Sequence, residues 1–166
     1  SKTIEPLNLK TFIRQLDIPV IVGGCATNRA ALHLMRTGAA GVLVGVGPGH
    51  ACTTRGVLGL GVPQATAIAD VRAARMRHLD ETGVYCHVIA DGGMATGADI
   101  TKAIACGADA VMIGSPQAAA PEGPRRGHEW GMARCDPNLP HWPRLQTPPQ
   151  ASAGTSGGVS AHTEPL

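Results

Sequence analysis

Gly41-Val42-Leu43-Val44-Gly45-Val46-Gly47-Pro48-Gly49-His50-Ala51-Cys52-Thr53-Thr54-Arg55 is the stretch whose reading decides the fold. Its first part, Gly41 to Val46, is a short apolar run without alternation, the pattern of a strand buried in a parallel sheet. Its second part is a turn set by glycine and proline that carries one cysteine. A thiol held where a strand meets a glycine-rich loop is displayed as a nucleophile rather than packed as core.

Working outward, the same unit recurs. Upstream, Ile18-Pro19-Val20-Ile21-Val22 reads as a strand ended by Gly23-Gly24. Thr27 or Asn28 then caps a helix that runs to about Thr37 and stops at Gly38. Before it, Leu9, Phe12, Ile13 and Leu16 recur at helical spacing. Downstream, the loop around Cys52 ends near Val62-Pro63, and Gln64 to about Glu81 reads as a helix. Cys86 to Ala90 is a third strand with Asp91-Gly92-Gly93 at its carboxyl end. Ala98 to Cys106 is a helix stopped by Gly107, and Ala110 to Ile113 is a fourth strand ended by Gly114-Ser115. Strands linked by helices are expected to be parallel and buried on both faces. The glycines and polar residues cluster at the carboxyl ends of the strands, where ligands bind in barrels and open sheets alike.

Composition narrows the function classes. The 166 residues suit one domain, and 43% of them are hydrophobic, but only 2% are aromatic. The core is therefore built from Val, Ile, Leu, Ala and Met. A net charge of +2, without a basic run, argues against a nucleic-acid partner. The five cysteines, Cys25, Cys52, Cys86, Cys106 and Cys135, form no CxxC pair. That argues against a zinc site or a disulfide scaffold and for a reducing, cytoplasmic location. No apolar run is long enough to span a membrane, and the first residues do not read as a signal peptide. After Ser115 the chain turns to Ala, Pro and Arg. From Pro137 to Leu166 it is rich in Pro, Ser, Gly and Thr, so the expected division is a folded domain over 1–135 and a disordered tail over 136–166.

Three motifs, taken in order and spacing, resemble the IMP dehydrogenase and GMP reductase family. Gly45 to Arg55 resembles its catalytic cysteine loop, Val88 to Gly93 its ribose-binding strand end, and Val111 to Ser115 its phosphate-binding strand end. Gly61-Val62-Pro63-Gln64 between them is family-like, and the resemblance spans roughly Glu5 to Met132. Gly23-Gly24-Cys25-Ala26-Thr27 and Trp130-Gly131-Met132 resemble a subgroup that lacks the regulatory CBS pair. The family fold is a (β/α)8 barrel of about 250 residues. The four βα units here then imply an α/β fold that is the second half of such a barrel, β5 to β8, without β1 to β4.

The resemblance implies roles for individual residues. Cys52 is the nucleophile that attacks C2 of the purine, with backbone N–H groups and Arg55 expected to favour its thiolate. A random free cysteine is usually buried core, and Cys25, Cys86, Cys106 and Cys135 take that reading. Thr54 is implied in activating water or moving a proton, against the plainer reading of a loop threonine bonded to its own backbone. Asp91 is implied to accept the ribose hydroxyls, with Gly93 allowing close approach. Gly114 and Ser115 are implied to donate to a 5′-phosphate, with His50 beside them, and Gly131-Met132 to contact the purine. The carbonyls of Gly47, Gly49 and Cys52 match a monovalent-cation site, suited to K⁺.

The pattern departs from the family at three positions. His50 stands for a phosphate-binding serine, Cys25 for an asparagine and Leu43 for an arginine. The sequence also holds no Arg-Tyr dipeptide; its only tyrosine is Tyr85.

The expected activity is IMP dehydrogenase-type: IMP and NAD to XMP through a covalent cysteine intermediate. The alternatives are GMP reductase, taking GMP and NADPH to IMP and ammonia, and a catalytically inactive truncated barrel. The cofactor is then NAD or NADP, with K⁺ in addition, and a full barrel implies a homotetramer. Half a barrel is also expected to expose strand edges and its apolar interior. The drift in composition after Met132 carries the further expectation of a truncated or frame-shifted gene product.

Overall fold

The computed structural model describes residues 7–122 of the chain. Helix α1 (Leu9–Arg14) precedes β1 (Ile21–Cys25), α2 (Asn28–Met35), β2 (Gly41–Val44), α3 (Thr54–Leu58) and α4 (Gln64–Thr82). β3 (His87–Asp91), α5 (Gly97–Cys106), β4 (Ala110–Met112) and α6 (Ser115–Ala118) complete the order. The four strands form one parallel sheet in chain order, β1-β2-β3-β4. Four consecutive parallel strands with helical crossovers are the arrangement of half a (β/α)8 barrel, as the sequence predicts. The tail and the domain boundary at residue 135 lie outside the described residues.

The helices begin and end where local chemistry directs. The Thr27 side chain accepts from the Ala30 N–H at the start of α2. Thr96 and Asp99 form a reciprocal capping box at the start of α5. Gly83 and Gly107 close α4 and α5 with φ of 71° and 114°, a conformation glycine adopts without Cβ strain. On α4 the buried residues are Ala67, Ile68, Val71, Ala74, Arg75 and His78, a single stripe at helical period. Three of its members are alanine or valine, so the helix backbone lies close to the sheet.

That stripe lies over β2 and β3, with α2 over β1 and α5 over β4 on the same face. Val22, Val42, Val44, Val88 and Ala90 are buried beneath the helices. The cross-strand row Gly23, Leu43, Ile89 and Ala110 lies on the opposite face. There Ile21 is 54% and Met112 46% exposed. The expectation of strands buried on both faces is therefore corrected: only the helix-facing side is covered. In a closed barrel the other side packs against opposing strands, and the described residues contain only these four.

The first strand also differs from its sequence reading. It does not end at Gly23-Gly24 but runs through them to Cys25, with a shift of register against β2 between Gly23 and Cys25. The glycines serve close approach rather than termination. A Cβ on Gly23 would lie 2.6 Å from Leu43 Cβ, and one on Gly24 would lie 2.8 Å from the Gly45 carbonyl oxygen. Two short helices, α3 and α6, arise in segments that carry no helical periodicity in the sequence.

Candidate active site at the carboxyl ends of the strands

The loop from Gly45 to Pro63 leaves β2 at the carboxyl edge of the sheet. It is closed by Arg55, which donates from Nε to the Val46 carbonyl at 3.3 Å and from a terminal nitrogen to the Val62 carbonyl at 2.6 Å. Gly47 and Gly61 make room for that side chain: a Cβ on Gly47 would lie 2.7 Å from Arg55 Cγ, and one on Gly61 would collide with Arg55 Nε.

Cys52 is exposed on this loop. Its amide donates to the Gly49 carbonyl at 3.0 Å, which fixes the turn. Its Sγ lies 3.3 Å from Thr54 Oγ1. The Thr54 hydroxyl and the Thr54 N–H both stabilise the thiolate and hold the thiol below its ordinary pKa, with Arg55 a smaller influence. The sequence reading named backbone N–H groups and Arg55; the structure adds the Thr54 hydroxyl as the largest influence, and the Arg55 guanidinium chiefly closes the loop. The contrast with the core thiols is sharp. Burial pushes Cys25 and Cys86 each up to about 11, which leaves them inert at neutral pH. The difference follows from position alone, since Cys25 sits at 3% exposure beneath α2 and Cys86 is fully buried.

Asp91 ends β3 on the open face of the sheet, two residues beyond Ile89. The turn that follows is packed on the cysteine loop. A Cβ on Gly92, which has φ of 94°, would lie 2.7 Å from the Gly49 amide nitrogen and 2.8 Å from Pro48 Cγ. Gly93, with φ of 79°, faces the Pro48 carbonyl. The register of β3 with β4 sets Asp91 beside Met112, so Gly114-Ser115 leaves the sheet at the neighbouring strand end, with Ser115 opening α6. Exposed His50 lies in the same loop as Cys52. Cys52, Thr54, Asp91, Gly93, Gly114 and Ser115 thus occupy one edge of the sheet. Gly131 and Met132 lie outside the described residues.

One site residue has a role that periodicity could not show. Gln64 is the first residue of α4, and its Nε2 donates to the Val44 carbonyl at 2.7 Å and to the Asp91 carbonyl at 3.3 Å. The sequence signal was its place after Val62-Pro63, where proline fixes the entry to the helix. Among the described residues no group of His, Cys, Asp and Glu could hold a metal ion, and no helix is long and apolar enough to cross a membrane.

This parallel half-barrel sets an exposed thiol and a strand-end carboxylate at the carboxyl edge of its strands, the edge at which barrel folds bind their ligands. Residues 5–130 match the family described as the IMP dehydrogenase / GMP reductase domain, and the chain belongs to that family. It is 57% identical over 145 residues to a Mycobacterium leprae protein named as an uncharacterized oxidoreductase, covering 86% of this chain and 39% of that protein. An inosine-5′-monophosphate dehydrogenase of Methanocaldococcus jannaschii is 48% identical over 120 residues, which are 70% of this chain and 23% of that protein. Among solved structures, an IMP dehydrogenase/GMP reductase-like protein of Corynebacterium glutamicum superposes with a TM-score of 0.67 at 54% identity. That likeness covers 74% of this chain and 33% of the other. The chain thus spans well under half the length of the relatives it matches.

Proposed function

We propose that this chain carries the nucleophile and nucleotide-binding strand ends of a purine nucleotide oxidoreductase of the IMP dehydrogenase type. The observation that carries the reading is the exposed Cys52 thiol, held below its ordinary pKa by Thr54, on a loop packed against the Asp91-Gly92-Gly93 turn. Asp91 would accept the ribose hydroxyls, and Gly114 and Ser115, with His50, would meet the 5′-phosphate. Gly93 allows the sugar to approach the backbone, and Gly131-Met132 would contact the purine.

The Cys52 thiolate adds to C2 of IMP. Bound NAD⁺ would accept the hydride that leaves C2. Water then cleaves the resulting thioimidate at Cys52, giving XMP and the free thiol, with Thr54 placed to pass a proton. The exposed flank of Cys52 fits this, because it leaves a face from which a nicotinamide ring, of NAD or NADP, can reach C2. The carbonyls of Gly47, Gly49 and Cys52 fit a K⁺ ion as hard oxygen donors. Gly49 already accepts the Cys52 N–H and keeps one lone pair. The ion would supply charge that orders the loop. The proposal extends to a cytoplasmic homotetramer when the barrel is complete.

The thioimidate is common to both directions of family chemistry, so both are tested. The protein is incubated with IMP and NAD⁺, and with GMP and NADPH, while nicotinamide absorbance is followed. In parallel, Cys52 is alkylated with and without each nucleotide and with a sugar phosphate. IMP or GMP protection of Cys52 that the sugar phosphate does not give is the expected result. Turnover with GMP and NADPH alone assigns the reductase. Protection without turnover assigns an inactive half-barrel, and absence of both removes the proposal.

A further inference from the structure

Gln64 opens α4 and stands where that helix meets the ends of two strands. Its Nε2 donates to carbonyls at the ends of two adjacent strands, Val44 on β2 and Asp91 on β3. The amide orientation is forced, because a flip would set Oε1 against two carbonyl oxygens. Gly45, which begins the cysteine loop, has φ of 146°, and a Cβ there would strike the Asp91 carbonyl and lie 3.1 Å from Gln64 Nε2. Any larger residue would therefore break the latch. The two strand ends it joins carry the two halves of the chemistry: Val44 leads into the loop of Cys52, and Asp91 bears the carboxylate.

We infer that Gln64 is the positioning residue that locks the Asp91 strand end to the base of the Cys52 loop, and so sets the reach between nucleophile and sugar-binding carboxylate. Gln64 itself touches neither thiol nor substrate. The consequence for a nucleotide, though not the latch itself, rests on the purine-nucleotide reading. One side-chain NH2 that donates to both carbonyls explains why a carboxamide stands here. Alanine offers no donor, and glutamate offers one only when protonated.

The test uses the full chain and the variants Gln64→Ala and Gln64→Glu. The first readout needs no nucleotide: peptide-resolved hydrogen exchange over residues 41–51 and 88–95. In Q64A exchange in both segments rises about tenfold, the loss of one net hydrogen bond, while residues 28–35 on α2 keep their wild-type rate. In Q64E the carboxylate at about pH 7 offers no donor to either carbonyl, so exchange in both segments rises as it does in Q64A. The Asp99–Lys102 pair on α5 lines the same pocket as Gln64. Arg55 on the loop is committed to carbonyls.

The second readout is IMP protection of Cys52 against alkylation, expected to need about tenfold more IMP in Q64A. Exchange in both segments that is unchanged in Q64A, or that rises equally in residues 28–35, overturns the latch. So does wild-type exchange in Q64E. Faster exchange confined to these two segments in both variants, with no IMP protection in the wild type, leaves the latch standing and removes the nucleotide reading instead.

Discussion

Cys52 and Cys25 are the same residue type in one small protein, and their environments drive their thiols in opposite directions. Exposure and two hydrogen bonds from Thr54 favour the Cys52 thiolate, while burial at the end of β1 penalises that of Cys25. The Thr54 hydroxyl is the first of these influences on Cys52, so Thr54→Val should return the thiol toward its ordinary value. The midpoint of its alkylation-versus-pH profile then moves to higher pH, and the rate at about pH 7 falls several-fold. Iodoacetamide labelling read by peptide mass spectrometry measures this. A profile identical to wild type would assign the activation to the backbone alone. The cysteine's exposure was legible in the sequence because glycine and proline around it announce a displayed loop. Thr54 as its main support was not, because a neighbour two positions away is ambiguous until the backbone turns it inward.

At the scale of elements, α4 is tied to the amino-terminal edge of the sheet as Gln64 ties it to the carboxyl edge. Arg75, with 8% side-chain exposure, pairs with Asp109 at 2.7 Å. Asp109 also accepts from the Tyr85 hydroxyl at 2.6 Å and the Val88 amide at 2.7 Å. Burial opposes its charge, but the bonds from Tyr85 and Val88 and the Arg75 guanidinium outweigh that and hold its carboxyl below the usual range. Asp109→Ala leaves the Arg75 charge buried and should cost about 3 kcal/mol, the low end for breaking a buried pair because Asp109 keeps a quarter of its exposure. The sign follows from the lowered pKa. The stabilisation is complete above the unfolded value near about 4 and is lost as pH falls through the lower folded one. Urea unfolding should therefore show a wild-type advantage at about pH 7 that narrows in acid. A gap that is constant with pH would show that the carboxylate's charge is not its source. The exposed Arg36–Glu81–Arg77 cluster between α2 and α4 holds the Glu81 carboxyl down at about 2, yet it is solvated and adds little to stability.

At the scale of the whole molecule, the sheet is half dressed. Its helix side is buried, and its other side exposes Ile21 and Met112 with Leu43 and Ile89 between them. A contiguous apolar face of this kind drives association. The chain by itself should self-associate in sedimentation experiments and bind an apolar dye. The double variant Ile21→Lys with Met112→Lys should lower both without altering the helix side. A monodisperse wild-type monomer that binds no dye would show that this face is covered in solution.

The periodic signals of the sequence determined the parallel strand and helix units, the helix caps at Thr27 and Gly107, and the motifs whose order marks the family. These are local properties: apolar period, backbone freedom and the chemistry of one loop. Where a residue's role depended on what lay across the sheet, the sequence was silent or misleading. Gly23-Gly24 reads as a strand end, yet the strand continues, because the missing side chains admit Leu43 and the Gly45 carbonyl. Only the tertiary structure decided that Arg55 closes a loop and that Gln64 serves two strands at once. It also decided that one face of the sheet lies open. The Gln64 bonds and the approach of Leu43 to Gly23 join residues at least 20 positions apart, and such contacts are set by packing and register rather than by any pattern along the chain.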